Sequence, residues 1–367
     1  MGRSYLPEFY SWITVPHVRS LFERIAQETE EDYVAIIKKL QEFGVTVLRP
    51  DMPTDTEQLK DYQGRWAIPP MNPRDYTLMI GDTFYYTPTS IDVFYNRIKD
   101  PSWPVCNNWQ QWQQLPQWIQ QECIDIHDIG STHFLPTDAF TKIINSVSAQ
   151  GNKVLHTPPL LGNSINGAMI SRIGRDLYFG TLEHDQERPI LSSWLDNNLT
   201  SFRKHVINTG GHSDGTYCPV CPGLIISNYD IKSYNNTYPG WEVVYVDSRN
   251  WGKIKSFSDL KRKNQGRWWI PGFEHDDEVV TVVDQWLGHW LGYVEETVFD
   301  VNMLIIDPKN VIVFSYNKLV FDAFERYGIT PHIVPFRHRF FWDGGIHCIT
   351  SDLHREGTMQ DYFPDRG

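Results

Sequence analysis

The sequence lacks the features that would suit a membrane or an oxidising compartment. No apolar run among the 367 residues is long enough to span a bilayer. Residues 1–20 contain no uninterrupted apolar stretch of the kind that a signal peptide needs. Five cysteines are too few, and odd in number, for a disulfide framework. These absences predict a cytoplasmic protein with no membrane partner.

Positive charge is also scarce. The formal net charge is −12, and no basic stripe interrupts it. The nearest candidate, Lys261-Arg262-Lys263, is short enough to be a solvated turn. Nucleic-acid binding needs clustered Lys and Arg that displace phosphate counterions, so the sequence disfavours nucleic acid as a partner. A net negative field weakly favours a small cationic substrate instead.

Motifs for cofactor chemistry are missing as well. There is no Gly-Lys phosphate loop and no Gly-x-Ser-x-Gly elbow. Cys218-Pro-Val-Cys221 has metal-ligand spacing, but zinc usually takes four ligands and no second pair exists. The preceding His212-Ser-Asp214 lacks the Glu of a zinc deaminase signature. We therefore expect neither a metal nor an organic cofactor, and interpret the two cysteines as strand residues.

What is present indicates a folded α/β protein. Apolar residues make up 41% of the chain, enough for a sizeable core. Apolar spacing predicts a helix over residues 31–43 and a buried strand over 45–48. Strand–turn–strand patterns recur, with turn residues between them, over residues 76–86, 168–181, 220–227 and 301–315. A helix over 316–327 and a strand over 329–336 follow the last pattern. The repetition predicts ββαβ units in one large ring-like domain covering residues 1–367.

Four segments carry side chains that suit catalysis. Cys348 follows Gly344-Gly345, where paired glycines would allow unusual backbone angles and close approach of a ligand. A lone cysteine is nevertheless more often inert core. If residues 212–214 are extended, His212 and Asp214 share one face and suit acid–base work, although a surface hydrogen-bonded pair is the simpler interpretation. Asp75 and Asn166, each just before a strand, would alone be read as turn residues.

Taken in order, these segments resemble a known family. The most specific match is Gly-Gly-x-His-Cys-x-Thr-x-Asp at residues 344–352, and Pro73-Arg-Asp75, Gly174-Arg-Asp-Leu and His212-x-Asp214-x-Thr match as well. The sequence is thereby similar to the amidinotransferases of the guanidine-modifying superfamily, such as arginine:glycine amidinotransferase. The resemblance implies a fivefold pseudosymmetric α/β propeller of ββαβ units. It also implies a homodimer that works without a cofactor.

The resemblance assigns a role to each matching residue. Cys348 would be the nucleophile, His212 the general acid and base, and Asp75 and Asp214 the groups that bind a guanidinium. Asn166 stands where the family pairs an Asp with the catalytic histidine. An asparagine can orient an imidazole but cannot stabilise imidazolium by charge.

Two further departures concern the second substrate. Ile231 occupies the position of an expected carboxylate-binding arginine, and Glu295-Glu296 fall where a serine pair is expected. These changes point away from glycine and toward another acceptor, such as a cationic amine.

The resemblance therefore implies an enzyme that moves the amidino group of L-arginine to an acceptor amine through an amidino-cysteine intermediate. Hydrolysis of arginine by a deiminase or dihydrolase would use the same cysteine, histidine and acids. A catalytically weak guanidinium-binding protein is the third interpretation, and Asn166 is its main support.

Overall fold

The computed structural model describes twelve stretches of the chain: 1–52, 59, 66–86, 139–157, 165–181, 188–209, 212–228, 234–246, 270, 272–273, 275–287 and 299–366. Positions 231, 261–263 and 295–296, which the sequence analysis singled out, lie outside these residues. Within the described stretches, every helix is too short or too polar to cross a bilayer.

The N-terminal part is a 3₁₀ turn (Pro7–Trp12) followed by a long helix, α1 (Pro16–Glu42). The helix begins fifteen residues before the predicted one, with proline in its first turn. Its buried face is mostly apolar, but Thr29 and Asp32 interrupt the apolar spacing on this face just before residue 33. Thr29 accepts a 2.8 Å hydrogen bond from the Trp342 indole, and Asp32 binds Arg337. The predicted strand over 45–48 is wrong: these residues pair with no strand among those described.

The described residues after α1 form four ββαβ units with the same topology: an antiparallel hairpin, a helix, and a third strand parallel to the second. The first two units consist of β1 (Thr77–Ile80), β2 (Thr83–Tyr86), α2 (Thr141–Ala149) and β3 (Lys153–His156), then β4 (Ile170–Ile173), β5 (Asp176–Thr181), α3 (Arg188–Asn198) and β6 (Arg203–Asn208). The last two consist of β7 (Tyr217–Cys221), β8 (Leu224–Ser227), α4 (Tyr234–Thr237) and β9 (Glu242–Tyr245), then β10 (Leu304–Asp307), β11 (Asn310–Val313), α5 (Lys318–Tyr327) and β12 (Thr330–Ile333).

The hairpins occur where the sequence predicted them because their turns contain the residues that tight turns require. Gly81, Gly174 and Gly223 have φ of +59°, +57° and +93°, a region that side chains disfavour. In the fourth unit, the Asp307 carboxylate accepts hydrogen bonds from the Lys309 amide and the Asn310 side chain. The predicted α/β fold with ββαβ repeats is therefore confirmed for four units.

Helix α1 packs beside the fourth unit. Its buried residues, including Leu21, Ile25 and Tyr33, share one hydrophobic cluster with Leu304 and Ile312 of that unit. The cluster also contains Ile346 and Ile349, from the C-terminal segment (residues 343–363), and Met71, from the entry to the first unit. Helix α1 thus fills the space between the last unit, the first unit and the C-terminal segment.

Shorter elements connect these parts. They are the one-turn helices Ser213–Thr216 and Arg339–Trp342, the helix Asp277–Val282 with a π-helical continuation over Val283–Leu287, and the 3₁₀ turns Pro73–Asp75 and Pro364–Arg366. Between Trp342 and Pro364 the C-terminal segment has no helix or strand. Its position must therefore come from contacts with the four units.

The C-terminal segment passes very close to the hairpin turn at Gly174. A Cβ added there would lie 2.1 Å from the Gln360 carbonyl oxygen, whereas a Cβ at Gly81 would be 3.8 Å from its nearest neighbour, a ring carbon of Phe202. The two glycines hold equivalent turns and have nearly equal φ. We expect Gly81→Ala to lower the free energy of unfolding by about 1 kcal/mol, through backbone strain alone. Gly174→Ala should lower it by about 3 kcal/mol, because backbone must also move. Equal denaturant midpoints for the two variants would contradict this packing.

Candidate active site

The predicted site residues lie at equivalent places in the four units. Asp75 precedes β1, Asn166 precedes β4, and Asp214 precedes β7. Asn302, which precedes β10, takes the same place in the fourth unit. Because each residue enters the first strand of its unit, the repeated topology brings these positions to one end of the strands. The C-terminal segment carries Cys348 to that end.

A single side-chain amide holds Cys348. The thiol is buried, and its Sγ lies 2.9 Å from Asn302 Nδ2, which donates to it. Asn302 Oδ1 accepts from the backbone amides of His347 and Cys348, at 2.8 and 3.3 Å. The Asn302 amide therefore fixes both the sulfur and the backbone that carries it.

The glycine pair at residues 344 and 345 leaves room for the side chains of Asn72 and Asn302. A Cβ on Gly345 would lie 2.1 Å from Asn302 Oδ1, and one on Gly344 would lie 2.5 Å from Asn72 Oδ1. Neither glycine has a positive φ; the left-handed residue is Asp343, at φ +48°. The expectation of unusual backbone angles at the pair is thus wrong, while close approach is the reason for both glycines. The neighbours that approach are asparagine side chains of this chain.

Asp214 contacts both Cys348 and the residue before it, His347. Its Oδ2 lies 2.8 Å from His347 Nδ1 and 3.5 Å from Cys348 Sγ. Burial opposes ionisation, but the hydrogen bond from His347 and nearby positive charge outweigh it and lower the pKa of Asp214. Burial, followed by the charge of Arg74, lowers the pKa of His347, whereas the hydrogen bond to Asp214 opposes this shift. Asp214 Oδ1 is buried and has no hydrogen-bond partner in the described stretches.

Asp75 is the second carboxylate. Burial raises its pKa to about 7; the positive charge of His212 opposes the shift, and the negative charge of Asp214 reinforces it. These interactions place Asp75, His212 and Asp214 near one another. Asp75 Oδ1 is also buried without a hydrogen-bond partner among the residues described. Two carboxylates with unoccupied oxygens suit a planar cation that offers several N–H donors.

His212 lies at the edge of the site with an exposed side chain. The segment that follows is not extended as expected, because Ser213–Thr216 forms a helical turn that begins directly after His212. The alternation argument for a shared face is therefore wrong. The electrostatic interaction of both His212 and Asp214 with Asp75 nevertheless brings them together.

Asn166 is buried at the entry to β4. Its Oδ1 accepts from the amides of Ala168 and Met169, at 3.0 and 3.1 Å, and so caps the turn before the strand. Its side-chain oxygen is thus committed to the backbone. Orientation of the His212 imidazole by Asn166 stays a prediction.

Three residues of the site were not singled out from the sequence. His347 binds Asp214, and Asn302 binds Cys348. Arg74 is 2% exposed, and its Nε donates to the carbonyls of His347 and Thr350, at 2.7 and 2.8 Å. The single polar residue inside the apolar run at 301–306 was the available signal for Asn302, and the Pro-Arg-Asp motif was the signal for Arg74.

Cys218 and Cys221 lie in β7, as the strand interpretation predicted. Burial raises the pKa of Cys218 to about 12, which keeps it a protonated thiol. In the part of the chain that the structure describes, one group of side chains could hold a metal ion: His17, Asp276 and Glu278. It contains no residue of the site around Cys348.

Sequence comparison finds amidinotransferases. The chain is 26% identical to chicken (Gallus gallus) mitochondrial glycine amidinotransferase over 353 residues, covering 91% of this chain and 70% of that protein. It is 21% identical to inosamine-phosphate amidinotransferase 1 of Streptomyces glaucescens over 357 residues, covering 93% and 84%. The match to the Xenopus laevis glycine amidinotransferase spans only 40% of that protein. No family model matches the chain.

Solved structures agree at the level of fold. Inosamine-phosphate amidinotransferase StrB1 from Streptomyces griseus superposes with a TM-score of 0.59 at 18% identity, covering 93% of this chain and 84% of that one. SxtG, an amidinotransferase from Microseira wollei, superposes with a TM-score of 0.57 at 16% identity, covering 93% and 87%. The resemblance inferred from the motifs is thus confirmed: in sequence over most of its length, and in fold, the chain is similar to the amidinotransferases of the guanidine-modifying superfamily.

Proposed function

We propose that the protein transfers the amidino group of L-arginine to an acceptor amine, with Cys348 as the nucleophile. The observation that carries the proposal is the position of Cys348 Sγ beside Asp214, where Asp214 and Asp75 each present an unpaired carboxylate oxygen. The similarity to amidinotransferases supports the same reaction.

The two carboxylates would bind the arginine guanidinium. Resonance spreads the positive charge of this group, so its carbon is a poor electrophile. Charge-assisted hydrogen bonds from the guanidinium N–H groups to Asp75 and Asp214 would fix its plane. The fixed carbon then lies within reach of the sulfur, so that orientation lowers the barrier to attack.

Chemistry would proceed in two half-reactions. The Cys348 thiolate attacks the guanidinium carbon, and the bond from this carbon to Nε of the substrate arginine breaks. His212 gives a proton to the departing amine, so ornithine leaves and an amidino-cysteine remains. The acceptor amine then attacks the same carbon, His212 takes the proton that this amine loses, and the thiolate is released. Every catalytic group in both steps is a side chain of this protein, and ping-pong kinetics are expected.

The acceptor would be an amine other than glycine. Ile231 and Glu295-Glu296, the positions that motivate this choice, lie outside the described residues. Two acidic residues near the acceptor would favour a cationic amine. Hydrolysis, in which water replaces the amine, is the alternative that the same site chemistry allows.

The arrangement of the whole chain completes the proposal. We infer a single catalytic domain over residues 1–367 with fivefold pseudosymmetry, in which α1 and the C-terminal segment close the ring begun by the four units. The hydrophobic cluster that joins α1, the fourth unit and residues 346 and 349 supports this closure. A homodimer, a cytoplasmic location and independence from metals and cofactors stay predictions from the sequence.

Replacing the nucleophile tests the proposal directly. Cys348→Ser should lower ornithine formation from arginine, in the presence of an amine panel, by about 10⁴-fold or more. Cys221→Ser is the matched control, because Cys221 is a free and partly exposed cysteine in β7; it should retain the activity. Mass spectrometry of the wild type after exposure to arginine should find an amidino adduct on Cys348.

The products separate the alternatives. Ornithine formed only when an amine is present means transfer, whereas amine-independent citrulline or ammonia means hydrolysis. Full activity in Cys348→Ser would exclude Cys348 as the nucleophile. Absence of both adduct and turnover across the panel would favour a guanidinium-binding protein.

The raised pKa of Asp75 predicts that arginine binding depends on pH. Because its pKa is raised to about 7, its carboxylate becomes protonated below this pH and stops attracting the guanidinium. The dissociation constant for arginine should therefore rise about tenfold per pH unit below 7, measured calorimetrically with Cys348→Ser, which cannot form the amidino-cysteine. A constant affinity between pH 5.5 and 8 would contradict this role.

The raised pKa of Asp75 also predicts how the stability of Asp75→Asn differs from that of the wild type at each pH. A carboxyl whose folded pKa lies above its unfolded pKa holds more protons when folded, so the wild type loses stability as pH rises from about 4 to about 7. Without substrate, Asp75→Asn should thus exceed the wild type by about 4 kcal/mol in free energy of unfolding at pH 8. The difference should vanish near pH 4. A difference that does not change with pH would point to packing instead.

Asn302 should control the reactivity of the thiol. Asn302→Asp keeps the oxygen that accepts from the amides of His347 and Cys348 but removes the donor to Sγ. An added negative charge beside the sulfur disfavours the thiolate, so the pH midpoint of Cys348 alkylation should rise by about one unit. Asn310→Asp is the control, since Asn310 contacts Asp307 and His332 in the fourth unit. Equal midpoints in the wild type and Asn302→Asp would rule out this role.

A further inference from the structure

A cavity of about 440 Å³ lies between the first strands of the units. Residues of β4, β7 and β10 line its sides. It reaches His347 and Asp214 at one end, and the hairpin turns at Gly174, Pro222 and Pro308 at the other. The turns follow the strands whose opposite ends carry the catalytic groups. The cavity therefore extends from the back of the active site toward the other face of the ring.

Three arginines line this cavity around one carboxylate. Arg172 Nη2 and Arg355 Nη2 donate to the two oxygens of Asp352, at 2.8 and 3.1 Å. Both arginines also donate to backbone carbonyls, Arg172 to Met79 and Arg355 to Ile305. Burial lowers the pKa of Arg172 to about 10, so it stays charged at neutral pH. The Asp352 carboxylate thus accepts from two of the guanidinium groups and lies close to the third.

The third arginine, Arg74, is left with an unused donor. Its Nε is committed to the carbonyls of His347 and Thr350. Its Nη2 is buried and finds no hydrogen-bond acceptor in the stretches described, and the nearest carboxylate oxygen, on Asp352, is 3.7 Å away. A buried charged donor without an acceptor is costly, and such groups are normally satisfied by a ligand or by water.

Other acidic groups on the cavity wall do not supply the missing acceptor. Asp214 is bound by His347 at the inner end. Asp307 lies at the outer turn, where it accepts from Lys309 and Asn310. Between these two ends, the three guanidinium groups face a single carboxylate, that of Asp352.

We propose that this cavity is a binding site for a small oxyanion, a carboxylate or a phosphate group, with Arg74 Nη2 as its inner donor. Arg172 and Arg355 flank the ion and provide the remaining charge. Arg355 is 46% exposed on its side chain, so the site opens to solvent. The site is distinct from the guanidinium site, which uses carboxylates, and its existence does not rest on the proposed reaction.

Anion binding there should affect the nucleophile. Arg74 holds the carbonyls of His347 and Thr350, which lie on either side of Cys348. An anion on the same guanidinium would restrain it and, through it, the backbone that carries the thiol. The alkylation rate of Cys348 should therefore respond to the anion at the concentration that saturates the cavity.

Titration calorimetry at constant ionic strength tests binding. Inorganic phosphate and acetate are titrated separately into the wild type, Arg355→Gln and Arg326→Gln. Arg326 is the matched control, because it is similarly exposed, at 51%, and is also paired with a carboxylate, but lies on α5 outside the cavity. We expect saturable binding to the wild type and to Arg326→Gln, and at least about tenfold weaker binding to Arg355→Gln.

The results separate the two ligand classes. Tighter binding of phosphate assigns a phosphate-bearing ligand, and tighter binding of acetate assigns a carboxylate. Absence of saturable binding to the wild type, or equal weakening in both variants, overturns the proposal.

A crystallographic measurement avoids dependence on the variants. Wild-type crystals soaked in selenate should show anomalous density within hydrogen-bonding distance of Arg74 Nη2. Density confined to surface arginines such as Arg326 would mean an adventitious ion only and would overturn the site. The Arg74 peak should fall when phosphate or acetate is added, whichever binds more tightly in solution.

Discussion

The hydrogen bonds that fix residues 347–352 are the contacts on which the active site depends. This segment has no helix or strand to position it. Each of the four units supplies one side chain instead: Arg74 from the first, Arg172 from the second, Asp214 from the third and Asn302 from the fourth. Because all four come from the first strand of a unit or from the residues leading into it, the repeated topology itself produces the convergence. Cys348 is thereby positioned by side chains from all four units, although its own segment is irregular.

The same convergence brings charges of both signs close to the sulfur and gives the two carboxylates different properties. Asp214 receives a hydrogen bond from His347, and its pKa is lowered. The pKa of Asp75 is instead raised to about 7, by burial and by the negative charge of Asp214. Two carboxylates with separated pKa values can hold one cation while only one of them responds to pH. Arg74, on the other side of the segment, balances part of this negative charge.

Local features of the fold could be predicted from the sequence, and features set by distant contacts could not. The hairpins were found because Gly81, Gly174 and Pro222-Gly223 are strong turn signals. The start of α1 was missed because Thr29 and Asp32 face the protein to bind Trp342 and Arg337. Residues 45–48 have the apolar character of a strand, but no neighbour in the described part pairs with them. Motifs indicated Cys348, His212, Asp75 and Asp214. The contact of Asn302 with Cys348 could not be predicted, because it forms only when the fourth unit packs against the C-terminal segment.

The long separation of the partners in the chain has a consequence for folding. Within a unit, the hairpin forms from neighbouring residues, but Arg74 and Thr350 are 276 residues apart and Asp214 and His347 are 133 apart. Contacts between such distant residues form slowly, because the entropy of closing the chain must be lost before they provide any stabilisation. The sheets can therefore exist before the site does. Conversely, detachment of the C-terminal segment alone would disassemble the catalytic arrangement and leave the secondary structure of the four units in place.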